Sequence, residues 1–437
     1  MKRIGVAGMW HLGSVYAAGF ADLGFNVIGF DSDSRVISKL SNGQAPLYEP
    51  GLDDLLNRGM RQGLLTFTSD QNDLSSVDLL MVAYDTPVDQ NDRADFEYVK
   101  DQVRKLFPVI KEDAVVLICS QVPVGTTRQI ADRFASVRPE ATAHFAYSPE
   151  NLRLGSALKT FFEADRFVIG TRHDETKDRL LPVLSKLDCD LHWVGVESAE
   201  MTKHALNAFL AMSVVFSNEI AKICELVGAD ASEVEVGLKS DGRIGTRAYL
   251  RPGPAYAGGT LARDISALIE LERRMPSSRH FFLGIEGSNS AHRSWAFQKT
   301  RESLGDLAGK DVAILGMTYK PGTDTLRRSE ALTLALQLAE SGANVTVYDP
   351  FIKDWSREEW TFNVASDIGS LVRHADALVV SYDCQEFSDF NAELISKRGR
   401  PLVIIDTSSS MEPRFRNHPS AHYLRLGKHS KGPANHV

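Results

Sequence analysis

The stretch Arg3-Ile4-Gly5-Val6-Ala7-Gly8-Met9-Trp10-His11-Leu12-Gly13, joined by a helical segment to Asn26-Val27-Ile28-Gly29-Phe30-Asp31, decides the fold class. A short apolar run ends in a glycine turn, an apolar helix comes next over about Gly13–Leu23, and a second apolar run ends in an acid. That order opens a βαβ unit. The glycines permit a tight turn and close helix packing, the helix N-terminus faces a pyrophosphate, and the acid accepts ribose hydroxyls. Gly8, Trp10, His11, Leu12, Gly13 and Asp31 are therefore a candidate cofactor site, with the acid favouring NAD over NADP. Trp10 stands where a second glycine usually lets the backbone approach the pyrophosphate. A strand, turn and helix with no ligand would show much the same pattern.

Working outward, apolar strands recur at Asp78–Ala83, Ala114–Cys119, His144–Tyr147 and Phe167–Gly170, with helical stretches between them. A mostly parallel sheet covered on both faces is the expected result. From Glu197 to Val227 no glycine or proline interrupts an amphipathic pattern, which predicts one helix roughly 45 Å long at 1.5 Å per residue. A helix of that length connects domains or forms an oligomer interface. A glycine-rich loop, Arg251–Gly259, and more helix to about Leu304 lead to a second strand and glycine at Asp311–Gly316. Asn344–Tyr348 then runs into Asp349, and further strands lie at Ala377–Ser381 and Leu402–Asp406. The expected fold class is α/β, with two Rossmann-like, doubly wound parallel-sheet domains (1–195 and 301–437) joined by a central helical domain with a long helix (196–300). Gly427–Val437 is polar and is expected to be a loose tail.

The chain has 437 residues, 43% apolar and 24% charged, with a formal charge of −8. That is ordinary globular composition, and the negative balance argues against nucleic acid as a partner. No apolar run approaches the roughly 18 residues that cross a bilayer, and the opening residues enter a strand without a signal-peptide core. A cytoplasmic protein with no membrane partner is expected. Cys119, Cys189, Cys224 and Cys384 lie far apart in no CxxC or Cys/His cluster, so neither a disulfide framework nor a metal site is indicated.

Several blocks stand in a fixed order: Tyr48-Glu49-Pro50-Gly51-Leu52, Thr86-Pro87, Val122-Pro123-Val124-Gly125-Thr126-Thr127 and Ser148-Pro149-Glu150. They continue with Glu200-x-x-Lys203-x-x-x-Asn207, Asn218-Glu219-Ile220, Asp241-Gly242-Arg243-Ile244-Gly245 and Gly316-x-x-x-Lys320-Pro321-Gly322-Thr323-Asp324. Through these the chain resembles the UDP-glucose/GDP-mannose dehydrogenase family over most of its length. The resemblance implies an N-terminal NAD domain, a C-terminal domain gripping the nucleotide of a UDP-sugar, and a homodimer along the central helix. It implies oxidation of a sugar C6 hydroxyl, in ordinary members by two hydride transfers to the uronic acid. It adds Thr86, Pro87, Thr126 and Arg327 to the cofactor contacts. It gives Tyr249, Leu250, Tyr256, Gly259 and Lys320 to the substrate, together with Arg243, which reaches the sugar of the neighbouring subunit.

The catalytic candidates are read chemically beside that resemblance. Lys203 and Asn207 are one helical turn apart and share a face, so both can reach a forming alkoxide. A solvated helix face is the bland alternative. Glu150 comes after a strand at the edge where open α/β sheets place ligands, and the resemblance makes it a base or water-holding group; a helix-capping carboxylate is the alternative, with Asn151 standing where an aromatic is common. Asp264 would orient water or shuttle a proton, or else cap the helix next to it. Thr260 falls on the family's cysteine nucleophile. A thiolate attacks an aldehyde at neutral pH, whereas a hydroxyl needs a dedicated base. Asp406-Thr407-Ser408-Ser409 replaces the family's Asp-Gly-Arg-Asn and removes one expected cation. Three readings stay open: a dehydrogenase that stops at an aldehyde or keto-sugar, one that completes oxidation to the uronic acid, and a nucleotide-sugar or NAD binding protein without turnover.

Overall fold

The computed structural model describes residues 3–87, 95–150, 152–276, 280–319, 321–355 and 360–428. The chain forms two compact units, 1–206 and 207–437. In the first, eight strands are β1 (Arg3–Ala7), β2 (Asn26–Phe30), β3 (Leu65–Thr68), β4 (Leu79–Val82), β5 (Val115–Ile118), β6 (His144–Tyr147), β7 (Arg166–Gly170) and β8 (Asp190–Val194). They lie in the order β3-β2-β1-β4-β5-β6-β7-β8. Neighbours are parallel except β6 and β7, which meet antiparallel at Tyr147 and Gly170. Every residue of β4 and β5 is buried, as the apolar runs require of strands covered on both faces. β1 sits between β2 and β4, where the strand order reverses, and a crevice at such a switch point is where open α/β sheets take ligands. The sequence pattern misses β3 and β8. Both are edge strands, and β8 is only half-buried, so no apolar run marks it.

The second unit holds β9 (Asp311–Leu315), β10 (Asn344–Tyr348), β11 (Asn363–Val364), β12 (Ala377–Val380), β13 (Leu402–Asp406) and β14 (Ala421–Arg425). Their order is β11-β10-β9-β12-β13-β14, parallel throughout. β11 is two residues long and β14 carries His, Tyr and Arg among its five residues, so neither stands out in the sequence. The expected loose tail is corrected at its start. The Gly427 N–H donates to Glu225 at 3.0 Å and its carbonyl accepts from Ala231 at 2.8 Å, while Lys428 pairs with Asp230 at 3.4 Å. A glycine at φ +80° lets the chain turn there against Ala231 and Ala221. Residues 429–437 lie outside the described set.

The long helix is observed as Val196–Val227, 32 residues, ending at Gly228 with φ +80°. It runs from the first unit into the second between Leu206 and Asn207.

One device is built twice. Gly8, at φ +93°, comes directly after β1, and the next amide, Met9 N–H, donates to Asp31 at the end of β2 at 2.8 Å. Gly316, at φ +91°, comes directly after β9, and Met317 N–H donates to Asp349 at the end of β10 at 2.6 Å. A tyrosine from the next strand's end, Tyr84 or Tyr382, packs against each glycine. In the first unit the turn is closed by Gly13, whose added Cβ would lie 1.9 Å from the Gly8 carbonyl oxygen. Backbone cannot yield as a flexible side chain can, so Gly13→Ala is expected to lower the stability of the protein by about 1–3 kcal/mol. Denaturant unfolding checks this, and wild-type stability in the variant would show that the helix shifts at no cost.

Candidate functional site

The cofactor candidates cluster at the crevice beside β1. The helix His11–Asp22 begins there with Trp10 at its N-cap, no side chain of the described residues capping its amides and no acid in its first turn. Leu12 and Gly13 are buried, and Trp10 is 43% exposed. Asp31 accepts from the Met9 amide through Oδ2 and from the Asp33 amide, at 2.9 Å, through Oδ1. An uncapped helix N-terminus, a left-handed glycine and an acid at the next strand end fit the pyrophosphate and ribose of a dinucleotide. The second sheet does not. Asp349 is buried and takes the Met317 and Thr318 amides and the Tyr382 hydroxyl on one oxygen, and the Phe351 amide on the other. The next helix there, Glu330–Glu340, is already capped by Ser329.

Thr86 Oγ1 donates to the Gln121 carbonyl at 2.7 Å, and exposed Pro87 stands next to it. Thr126 is buried as the first residue of the helix Thr126–Val137, whose N-cap Gly125 has φ +92°. That helix end is filled from within: the buried Glu200 carboxylate accepts from Gly125 N–H at 2.5 Å and from Thr127 N–H at 2.8 Å. Burial pushes the Glu200 carboxyl above its ordinary pKa against the pull of those amides. One turn on, buried Lys203 donates to the Glu150 carbonyl, and its ammonium stands 3.6 Å from the Glu150 carboxylate. His204 bonds the Val122 carbonyl at 3.2 Å. Lys203 is thus not on a solvated face, and Glu150 pairs with it.

In the second unit Asn207 and Asp264 are both buried and joined, Asn207 Nδ2 donating to Asp264 Oδ2 at 2.5 Å. Asp264 lies inside the helix Thr260–Glu272 and does not cap it, which corrects that alternative. The helix starts at Thr260 after Gly259, whose φ of +96° and ψ of −135° suit only glycine. Thr260 is exposed, and its hydroxyl has no hydrogen-bond partner among the described residues. Tyr256 is buried, with burial raising its phenol to about 12, while Tyr249 is exposed and Leu250 half-buried. Arg243 is exposed and forks onto Asp241 at 2.6 and 3.0 Å. Arg327 is exposed. Lys320 and Asn151 lie outside the described residues.

No cysteine is an activated thiol. Burial pushes Cys119, Cys189 and Cys224 above the ordinary thiol range, the Glu150 charge adding to this at Cys119. Burial and then Glu386 raise Cys384 to about 12. Among the described residues no cluster of His, Cys, Asp and Glu could hold a metal ion, and no helix is long and apolar enough to cross a membrane.

Residues 2–188 match the NAD binding domain of the UDP-glucose/GDP-mannose dehydrogenase family, 197–291 its central domain and 313–413 its UDP binding domain. The chain belongs to that family. It is an NAD-dependent dehydrogenase of a nucleotide sugar. A UDP-glucose 6-dehydrogenase of Rhizobium meliloti is 32% identical over 415 residues, covering 92% of this chain and 94% of that protein. One from Bacillus subtilis is 31% identical over 392 residues, covering 89% of each. The structure of a UDP-glucose dehydrogenase from Pyrobaculum islandicum superposes with a TM-score of 0.84 at 28% identity, covering 98% of both chains.

In this dehydrogenase two acids inside the family blocks have roles that the sequence pattern leaves unassigned. Glu200 caps a helix, and a glutamate one turn before a buried lysine is the available signal. Buried Glu49 accepts from His11 Nε2 at 2.9 Å and from the Gly155 and Ala157 amides at 2.8 Å each, so it fixes His11 and caps the helix Ala157–Phe162. Burial works to raise the Glu49 carboxyl, but the hydrogen bonds from His11 and the two amides outweigh it and hold the pKa below its ordinary value. The stability this gives is present above the ordinary glutamate pKa of about 4.3 and is lost as pH falls toward the lowered native value. Glu49→Gln is expected to cost about 1–3 kcal/mol at neutral pH and to flatten the acid side of the stability profile. Unfolding curves from neutral to acidic pH check it; parallel profiles for the two proteins would contradict it.

Proposed function

We propose that this chain oxidises a hydroxyl, most simply at C6, of a UDP-hexose and releases the aldehyde as its main product, because the residue in the nucleophile's position is a threonine. The observation that carries this reading is Thr260: an unactivated hydroxyl at a helix start, in a chain whose four thiols are all raised above the ordinary range. Bound NAD supplies the acceptor for the hydride that leaves the carbinol carbon. Gly8, the amides after Trp10, and Asp31 hold that cofactor, with Thr86, Pro87 and Thr126 as further contacts, and the family resemblance adds Arg327. Lys203, its charge held near Glu150, stabilises the developing alkoxide. Asp264, oriented by Asn207, receives the hydroxyl proton. Carbon loses its hydrogen with the electron pair, oxygen loses a proton, and a C=O results.

A second oxidation needs a tetrahedral adduct at the aldehyde. A thiolate forms one readily; the Thr260 hydroxyl is hydrogen-bonded to no base among the described residues, so the adduct we infer is the hydrate formed with water. The expected stoichiometry in early turnover is therefore one NADH per sugar. Thr260→Cys is expected to raise it to two with uronic acid as product. NADH yield together with product mass checks both, and a rapid yield of two from the wild type would overturn the reading.

The homodimer belongs to the same proposal. On the long helix Phe209, Phe216 and Ile223 recur every seven residues and are 63%, 45% and 53% exposed, with Leu226 beyond them at 83%. A stripe with that period is an apolar seam that a second copy of the same helix would cover. The dimer would bring each Arg243 to the partner's substrate. Phe216→Glu is expected to yield a monomer by light scattering with sharply reduced turnover; an unchanged dimer would remove this face from the interface.

A further inference from the structure

The loop that leads into Thr260, Arg251-Pro252-Gly253-Pro254-Ala255-Tyr256-Ala257-Gly258-Gly259, has no regular structure of its own. Two prolines remove donors and the glycines add backbone freedom, so the loop cannot hold its own shape. Its position must come from outside, and four backbone groups show how. Gly253 N–H donates to Asn218 Oδ1 at 2.9 Å, and the Gly253 carbonyl accepts from His292 Nε2 at 2.9 Å. Tyr256 N–H donates to Asn289 Oδ1, and the Tyr256 carbonyl accepts from Asn289 Nδ2, both at 3.0 Å. Both polar groups of both residues are therefore taken by side chains.

Asn289 and His292 are one turn apart on the helix Phe281–His292, and both are buried. A cavity lined by Gly253, Pro254, Ala255, His292, Trp295 and Leu334 borders the middle of the loop. Residues 253–255 border empty space on one side, so hydrogen bonds matter more to their position than they would in a close-packed interior. His292 must present Nε2–H to the Gly253 carbonyl, which leaves buried Nδ1 without a partner among the described residues. Burial lowers the pKa of the ring, with Lys222 adding to this and the Gly253 hydrogen bond, Glu219 and Glu225 opposing it.

We propose that Asn289 and His292 are positioning residues for the dehydrogenase reaction, holding with Asn218 the Arg251–Gly259 loop in the conformation that presents the nucleotide-sugar contacts and Thr260. This rests on the proposed function, in which the loop meets the substrate.

The test compares His292→Leu, which removes the donor, with His292→Gln, which keeps an N–H. His292→Leu is expected to raise KM for the UDP-hexose about tenfold or more, while NAD binding by calorimetry stays at the wild-type value. Hydrogen exchange of the Gly253 and Tyr256 amides should quicken in His292→Leu and return toward wild type in His292→Gln, with KM recovering in step. Wild-type KM and exchange in His292→Leu would overturn the proposal. So would equal KM defects and equal thermal destabilisation in both variants, since that pattern marks a purely structural residue. If the wild type turns over no UDP-hexose, the functional reading fails, and the exchange comparison alone still decides whether the clamp exists.

Discussion

The bond from the amide after a left-handed glycine to an acid on the next strand is the constraint on which both sheets depend. It fixes how the first strand ends, how close the second strand must come, and where the next helix can begin. Met9 to Asp31 and Met317 to Asp349 are the same construction at 2.8 and 2.6 Å. The two sheets diverge immediately beyond that glycine. After Gly8 the helix starts at once, with open amides, and Asp31 is only partly enclosed. After Gly316 the acid is saturated by three amides and the Tyr382 hydroxyl, and the helix waits until Glu330 behind a serine cap. One scaffold therefore leaves the helix start and the acid more open in the first unit and occupies both with protein groups in the second.

The long helix distributes function by periodicity. Its first turns meet the first unit through Glu200, Lys203 and His204, which hold a helix N-terminus, a residue just beyond β6 and the loop after β5. Further along, Asn207 meets Asp264 and Asn218 meets Gly253 within the second unit. A rise of 1.5 Å per residue makes such a helix a ruler, and polar groups buried along it are held in register by the same backbone ladder. Each would be expensive to bury alone, and each has a partner. The apolar positions at seven-residue intervals face away from those contacts, as sharing one helix between two tasks demands.

Legibility in the sequence tracks physical strength. Buried parallel strands such as Leu79–Val82 are unbroken apolar runs and can be read directly, and so can the helix Val196–Val227, which lacks any breaker. Edge strands carry half a pattern, and β8 and β14 escape for that reason. Among site residues, Lys203 and Asn207 are legible as candidates because i,i+4 spacing puts them on one helix face, and Asp264 because of its place after the glycine-rich loop. Glu49, Glu200, Asn289 and His292 are not, because their partners lie 30 to more than 100 positions away and a carboxylate or amide satisfying distant backbone leaves no spacing to read.

Thr260 brings these levels together. A glycine at φ +96° starts the helix Thr260–Glu272, an asparagine and a histidine hold the loop before it, and Asp264 one turn later is buried against Asn207. These elements fix where residue 260 stands whatever its side chain, and in the proposed reading it is the chemistry of that side chain that differs from a thiol. The first hydride transfer asks for a proton acceptor and a cation near oxygen, and neither requirement involves residue 260. The second asks for an adduct at an aldehyde carbon, which is where a thiolate and a hydroxyl part by their acidity. Under the proposed function, a change confined to that atom alters which oxidation is fast without asking anything new of the elements that position it.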